Sequence, residues 1–218
     1  MKKSFSILKE YWGYDQFRPL QEDIIDSLLE GKDVLALLPT GGGKSICFQV
    51  PAMMMDGLCL VISPLIALMK DQVERLNDKG IDAISIHSGM PYSEVRDTLR
   101  KAVDGACKFL YVSPERLESR IFEEFLPALD ISLIAVDEAH CISQWGYDFR
   151  PSYLKIARIR ETAPKVPVIA LTASATLDVQ NDICEKLLFR KGNARFQQSF
   201  ARPKLGYTAY EPDSIPSE

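Results

Sequence analysis

Histidine is scarce in this chain: His87 and His140 are the two among 218 residues. Cysteine is little better supplied. Cys47, Cys59, Cys107, Cys141 and Cys184 stand twelve residues or more apart, with no C-x-x-C pair. That pattern gives no reason to expect a structural zinc site, and an odd, scattered set of cysteines reads as reduced thiols in a cytosolic setting. Long apolar runs are missing too. None approaches the ~18 residues a membrane span requires, and Lys9 and Glu10 cut the apolar stretch after Met1-Lys2-Lys3, which excludes a signal-peptide reading. The chain also lacks a net positive charge. Its 30 acids outnumber its 26 bases, for a formal charge of −4, so any nucleic-acid partner has to be held by local patches. Repeats and low-complexity tracts are absent. Apolar residues make up 46% and charged residues 26%, an ordinary globular balance that excludes disordered and fibrous classes.

What is present is a rhythm. Short aliphatic runs recur at Val34–Leu38, Leu58–Ile62, Ala83–Ile86, Phe109–Val112, Ile131–Val136 and Val166–Leu171. Most lack polar alternation, as do strands buried on both faces of a parallel sheet. Longer amphipathic stretches, Lys44–Met55, Leu65–Lys79, Tyr92–Asp104, Pro114–Leu126, Ser152–Thr162 and Thr176–Leu188, predict helices between them. Alternating strand and helix predict an α/β domain with a largely parallel sheet and helices on both faces. The unusual small and polar residues follow the strands, and in such a sheet those turns share the ligand-binding edge.

The first of these turns reads Pro39-Thr40-Gly41-Gly42-Gly43-Lys44-Ser45. Glycines let backbone N–H groups curl toward phosphate oxygens, and the following helix adds its positive end. Lys44 has the reach for β/γ-phosphates, and the Ser45 hydroxyl suits Mg²⁺. Position 38, where the strict phosphate-loop pattern wants another glycine, holds Leu38. The fifth strand ends in Asp137-Glu138. Adjacent residues at a strand end face different sides, so Asp137 suits the Mg²⁺ shell while Glu138 addresses the water that attacks a γ-phosphate. His140 suits a hydrogen-bonding link to the Thr172–Thr176 cluster after the sixth strand.

Together these segments resemble superfamily-two helicases, and the details resemble the RecQ family. Gly13-Tyr14-Asp15-Gln16-Phe17-Arg18-Pro19-Leu20-Gln21 is similar to its adenine-reading motif. Asp137 through Pro151 (DEAHCISQWGYDFRP) is similar to its acidic motif with the aromatic-rich loop. Val61 through Gln72 and Tyr111 through Leu117 are similar to its DNA-side motifs. The resemblance runs from about Trp12 to Tyr207, with Tyr147, Ser174 and Lys204 as minor departures. It implies a RecA-like first lobe over residues 1–207, with 208–218 a polar tail or the start of a hinge to a second lobe. It implies ATP and Mg²⁺ as cofactors, with no zinc in this part. Gln21 would bond the adenine edge and Tyr14 and Arg18 would sandwich its ring, while Phe17 would be core. Ser63, Pro64, Arg116, His140, Trp145, Phe149, Arg150, Thr172 and Thr176 would bind DNA or couple it to hydrolysis.

The implied function is the first motor lobe of an ATP-dependent 3′-to-5′ DNA helicase acting on single strands and duplex junctions in repair or recombination. Its place would be cytoplasmic or nucleoid-associated, or nuclear in a eukaryote. The family's second lobe, which carries an arginine finger, has no counterpart here, so slow hydrolysis by this chain alone is expected. A non-catalytic, nucleotide-responsive DNA-binding module and an RNA helicase lobe stay open as alternatives. Weak support for DNA comes from basic runs: five bases and one acid from Arg150 to Lys165, five bases and no acid from Arg190 to Lys204.

Overall fold

The computed structural model describes residues 2–198. Seven strands form one parallel sheet: β1 (Val34–Leu37), β2 (Leu58–Ile62), β3 (Ala83–Ile86), β4 (Phe109–Val112), β5 (Ile131–Val136), β6 (Val168–Thr172) and β7 (Ala194–Gln197), in the order β3-β4-β2-β5-β6-β1-β7. Alternate residues of one strand feed different cores, which is why the runs show no polar alternation. Leu35 and Leu37 join a cluster with Val95, Leu99, Phe122, Ile159 and Ile183 on one face. Val34, Ala36 and Leu38 join Ile24, Leu28, Phe48, Met69 and Leu76 on the other.

The helices follow from this layering. The second face is covered by α2 (Gln21–Leu29), α3 (Lys44–Ala52) and α4 (Ile66–Asn77); the first is covered by α5 (Tyr92–Val103), α6 (Arg120–Phe125), α7 (Ile156–Thr162) and α8 (Leu177–Lys186). A short helix, α1 (Lys3–Ile7), runs into a π-helical turn at Leu8–Trp12 and packs its Ile7 and Leu8 with Ile25 and Val50. The sequence rhythm did not delimit α1 and α2, because neither lies between two strands.

Two expected helices are broken. Pro114–Leu126 divides into a 3₁₀ turn at Pro114–Glu118, α6, and a second 3₁₀ turn at Leu126–Ala128, with Ser119 extended between the first two. Leu126 keeps α geometry (φ −50°, ψ −45°), and Pro127 follows it at the start of the second 3₁₀ turn. The stretch from Ser152 starts as a 3₁₀ turn at Pro151–Lys155 before α7. Ala194–Gln197 supplies β7 beside β1. The expected boundary at residue 207 and the tail after it lie outside the described residues.

At the amino edge of the sheet, away from the ligand edge, Asp33 is 1% exposed. Its carboxylate accepts from Val168 N at 3.0 Å, Arg160 Nη2 at 2.7 Å and Arg190 N at 2.7 Å. Arg160 is itself buried. This corrects the reading of the basic runs. Arg160 and Arg190 are bound to Asp33 and brace the fold, while Arg158 is engaged by Glu123 at 2.6 Å on the surface.

Candidate functional site

The loop from Pro39 to Gly43 leaves β1 at the carboxyl edge and delivers the chain into α3. Leu38 continues the sheet, its N–H donating to the Thr172 carbonyl at 3.1 Å and its side chain fully buried. An extended, buried position needs no glycine, which accounts for the departure from the strict pattern. Gly43 does need to be glycine. Its φ is +78° at the start of α3, and a Cβ there would collide with the Gln21 amide. A Cβ on Gly42 would meet the Pro39 carbonyl oxygen at 2.7 Å.

The adenine-motif residues converge on this loop. Leu20 takes a left-handed backbone (φ 70°) and turns Gln21 inward. The Gln21 side chain accepts from Arg18 N at 2.9 Å and donates to the Gly43 carbonyl at 3.0 Å, leaving one amide N–H and one lone pair for a ligand. Arg18 Nη1 donates to the Gly41 carbonyl. Tyr14 is 54% exposed, while Phe17 is partly buried and packs edge-on against Phe5 at 4.8 Å. Tyr14, Arg18, Gln21, Gly41, Gly43 and Ser45 line one cavity of about 700 Å³. That lies within the range of cofactor sites. Its far wall is α4, through Leu68, Asp71, Gln72 and Arg75, which the sequence reading did not assign to it. Thr40 is exposed on the loop.

β5 ends at Val136, and the two acids lie in the turn that follows it. Glu138 has φ 46° and ψ 46°, a left-handed conformation costing about 1–3 kcal/mol for a non-glycine residue. The turn brings its carboxylate to 3.6 Å from Lys44 Nζ and 3.3 Å from His140 Nδ1. Asp137 accepts from the Glu138 backbone N–H at 3.0 Å and from the Ser63 hydroxyl at 3.4 Å. Burial, with Glu138 beside it, holds the Asp137 carboxyl above the usual carboxylate range. A cation there would relieve that penalty, and the Asp137 carboxylate and the Ser45 hydroxyl are hard oxygen donors of the kind that suits Mg²⁺. Tyr153 braces the turn from behind, its hydroxyl donating to the Asp137 carbonyl at 2.9 Å; no local sequence signal marks it.

The DNA-side residues divide into links and surface. His140 is buried and its Nδ1 lies 2.9 Å from Thr172 Oγ1, the connection expected from sequence. Ser63 and Thr172 are buried as well, so neither can touch a polymer directly. Arg116 spends Nε and Nη2 on the His87 and Met90 carbonyls at 2.8 and 2.6 Å, fixing the loop after β3. These three are internal links, so of the two expected roles, contact or coupling, their positions suit coupling. Pro64 is partly buried beside Ser63. The outward set is Trp145, 79% exposed, Tyr147, stacked on His140 at 4.4 Å, and Thr176, exposed at the N-cap of α8. Trp145, Tyr147, His140 and Thr176 line a second cavity of about 390 Å³. Phe149 is partly buried under Lys186 (5.8 Å), and Arg150 pairs with Asp148 at 3.1 Å.

A family model described as DEAD/DEAH box helicase matches residues 18–183. The chain belongs to the DEAD/DEAH box helicase family, and membership implies ATP binding. Among curated proteins, the ATP-dependent DNA helicase RecQ of Bacillus subtilis (strain 168) is 46% identical over 209 residues, 95% of this chain and 35% of that protein. Its namesake in Haemophilus influenzae is 43% identical over 208 residues, 95% of this chain and 33% of that protein. A putative ATP-dependent RNA helicase, R290 of Acanthamoeba polyphaga mimivirus, is 44% identical over 209 residues, 94% of this chain and 37% of that protein. The chain thus spans about a third of the length of the curated relatives it matches. Among solved structures, the DEAD-box helicase Mss116 bound to ssRNA and UDP-BeF superposes with a TM-score of 0.71 at 19% identity, over 90% of this chain and 43% of that one. A hypothetical ATP-dependent RNA helicase from Sulfolobus tokodaii gives 0.69 at 18%, over 91% of this chain and 57% of that one. At such identities the likeness shows the fold, which is the RecA-like α/β sheet expected from sequence. No helix among the described residues is long and apolar enough to cross a membrane.

Proposed function

We propose that this chain is the first motor lobe of an ATP-dependent DNA helicase, translocating 3′ to 5′ on single-stranded DNA with a second RecA-like lobe. The observation that carries the reading is one continuous path. Lys44 contacts Glu138, Glu138 contacts His140, and His140 contacts both Thr172 and the aromatic loop through Tyr147. The Lys44–Glu138 pair and the exposed aromatic loop are therefore linked through two polar contacts and one ring contact.

In this reading the adenine lies against Tyr14 and Arg18, with the free edge of the Gln21 amide toward it. The glycine loop and α3 hold the phosphates. Ser45 and Asp137 would hold Mg²⁺, which supplies charge neutralisation on the phosphates when bound. Glu138 takes the proton of the attacking water. Burial pushes the pKa of the neighbouring His140 imidazole down, which favours the neutral ring as the group that orients the carboxylate. The second lobe contributes the arginine finger, worth about 10³–10⁵ in rate in comparable phosphoryl transfer. Hydrolysis by this lobe alone is accordingly slow, and the setting is DNA repair or recombination.

Trp145 is the test of the DNA side. Base–aromatic stacking contributes about 1–3 kcal/mol per base, while a tryptophan this exposed contributes little to folding. Trp145→Ala should therefore weaken oligonucleotide binding by roughly tenfold or more and abolish most DNA stimulation of ATPase in a two-lobed preparation. Its urea midpoint should stay at the parent's. Full DNA-stimulated ATPase in the variant would overturn the coupling, and equal stimulation by RNA would favour the RNA helicase alternative.

A further inference from the structure

We propose that His140, Cys141 and Asp148 form a site for one thiophilic divalent cation of the zinc class, independent of the Mg²⁺ position at Ser45 and Asp137. Their ligand atoms all lie within 4.8 Å of one another. Cys141 Sγ is 3.8 Å from His140 Nε2 and 3.7 Å from Asp148 Oδ2. Ligand atoms of a tetrahedral zinc centre are separated by about 3.3–3.6 Å, given Zn–S near 2.3 Å and Zn–N or Zn–O near 2.1 Å. Two of the three edges of the site are thus within a few tenths of an ångström of closure. The third closes by rotation of the Asp148 carboxylate, whose side chain is 47% exposed.

The tautomer of His140 suits this role. The Thr172 hydroxyl donates to the Ser174 carbonyl at 3.3 Å, so its oxygen is left to accept, and it lies 2.9 Å from His140 Nδ1. Nδ1 therefore carries the proton, shared with Glu138 Oε2 at 3.3 Å. Nε2, on the side of Cys141, carries the lone pair. A histidine whose outer N–H is held by a carboxylate while its other nitrogen faces a thiol has the supporting arrangement that zinc-binding histidines use. Binding forms bonds from the metal to Nε2, Sγ and a carboxylate oxygen, and displaces the thiol proton to solvent; no electron transfer is involved. A fourth position is left for water. The product is a brace between the Cys141 segment and the aromatic loop, made at the expense of the Asp148–Arg150 pair.

The probe is Co²⁺, added to the reduced chain in the presence of excess Mg²⁺. One equivalent should bind, with a thiolate-to-cobalt charge-transfer band in the near ultraviolet and tetrahedral bands in the visible, and one equivalent of Zn²⁺ should bleach both. Mg²⁺ should not compete, because it prefers oxygen ligands. Cys141→Ser should lose the charge-transfer band. Asp148→Asn, at a partly exposed position that leaves the core intact, should weaken binding at least about tenfold, the loss seen even for outer-sphere partners. Absence of the band in the parent, its survival in Cys141→Ser through one of the other four thiols, or parental affinity in Asp148→Asn would each overturn the site.

Discussion

Glu138→Gln should bind ATP as tightly as the parent and hydrolyse it about 10²–10⁴-fold more slowly in a preparation carrying both lobes. The range is what a positioned general base contributes. The substitution keeps the shape of the side chain and its hydrogen bond from His140, and it removes the proton acceptor together with the ion pair to Lys44. The left-handed backbone at residue 138 is unchanged, since glutamine meets the same steric limits. Affinity and rate should therefore separate, with binding read by displacement of a fluorescent nucleotide and hydrolysis by phosphate release. Parental turnover in the variant would remove Glu138 from the chemistry and favour a module that binds nucleotide without using it.

The largest expected effect on stability lies at the other edge of the sheet. Asp33→Ala should cost about 3–5 kcal/mol, because it leaves Arg160 buried with an uncompensated charge and frees the Val168 and Arg190 backbone N–H groups. A urea titration followed by circular dichroism reads the change directly. A loss below about 1 kcal/mol, the worth of an exposed pair, would mean that the three-way contact contributes no more than a surface ion pair. The network also ties the start of β1 to β6 and to the chain leading into β7. Asp33→Ala is accordingly expected to loosen the strands that carry the glycine loop and Thr172, without touching either.

The parts of the molecule that were legible in sequence are those with a local signature. Five of the six aliphatic runs begin and four end where their strands do, because a strand buried on both faces has no other way to read. The glycine loop, Lys44, Asp137, Glu138 and the link from His140 to Thr172 followed from residue types at strand ends. The features that were not legible depend on long-range contact. Asp33 sits in an acidic stretch that looks solvated, and only the fold brings Arg160 and Arg190, far along the chain, onto it. Arg116 and Ser63 carry polar groups that suit a ligand equally well until the His87 and Met90 carbonyls and the Asp137 carboxylate are seen to take them. The α4 wall of the nucleotide cavity has no motif of its own. The meeting of His140, Cys141 and Asp148 follows no metal-ligand spacing, because a turn after a strand, and not a helix or a knuckle, brings the three together.

Everything above depends on a nucleotide site built by the glycine loop, and the decisive measurement is an equilibrium titration of the chain with a fluorescent ATP analogue and Mg²⁺. Binding should be saturable and displaced by unlabelled ATP, and Lys44→Ala should lose at least about tenfold in affinity with the fold unchanged by circular dichroism, since a charge-assisted contact to phosphate contributes about 1.5–3 kcal/mol. Parental affinity in Lys44→Ala, or no displaceable binding by the parent chain, would contradict it.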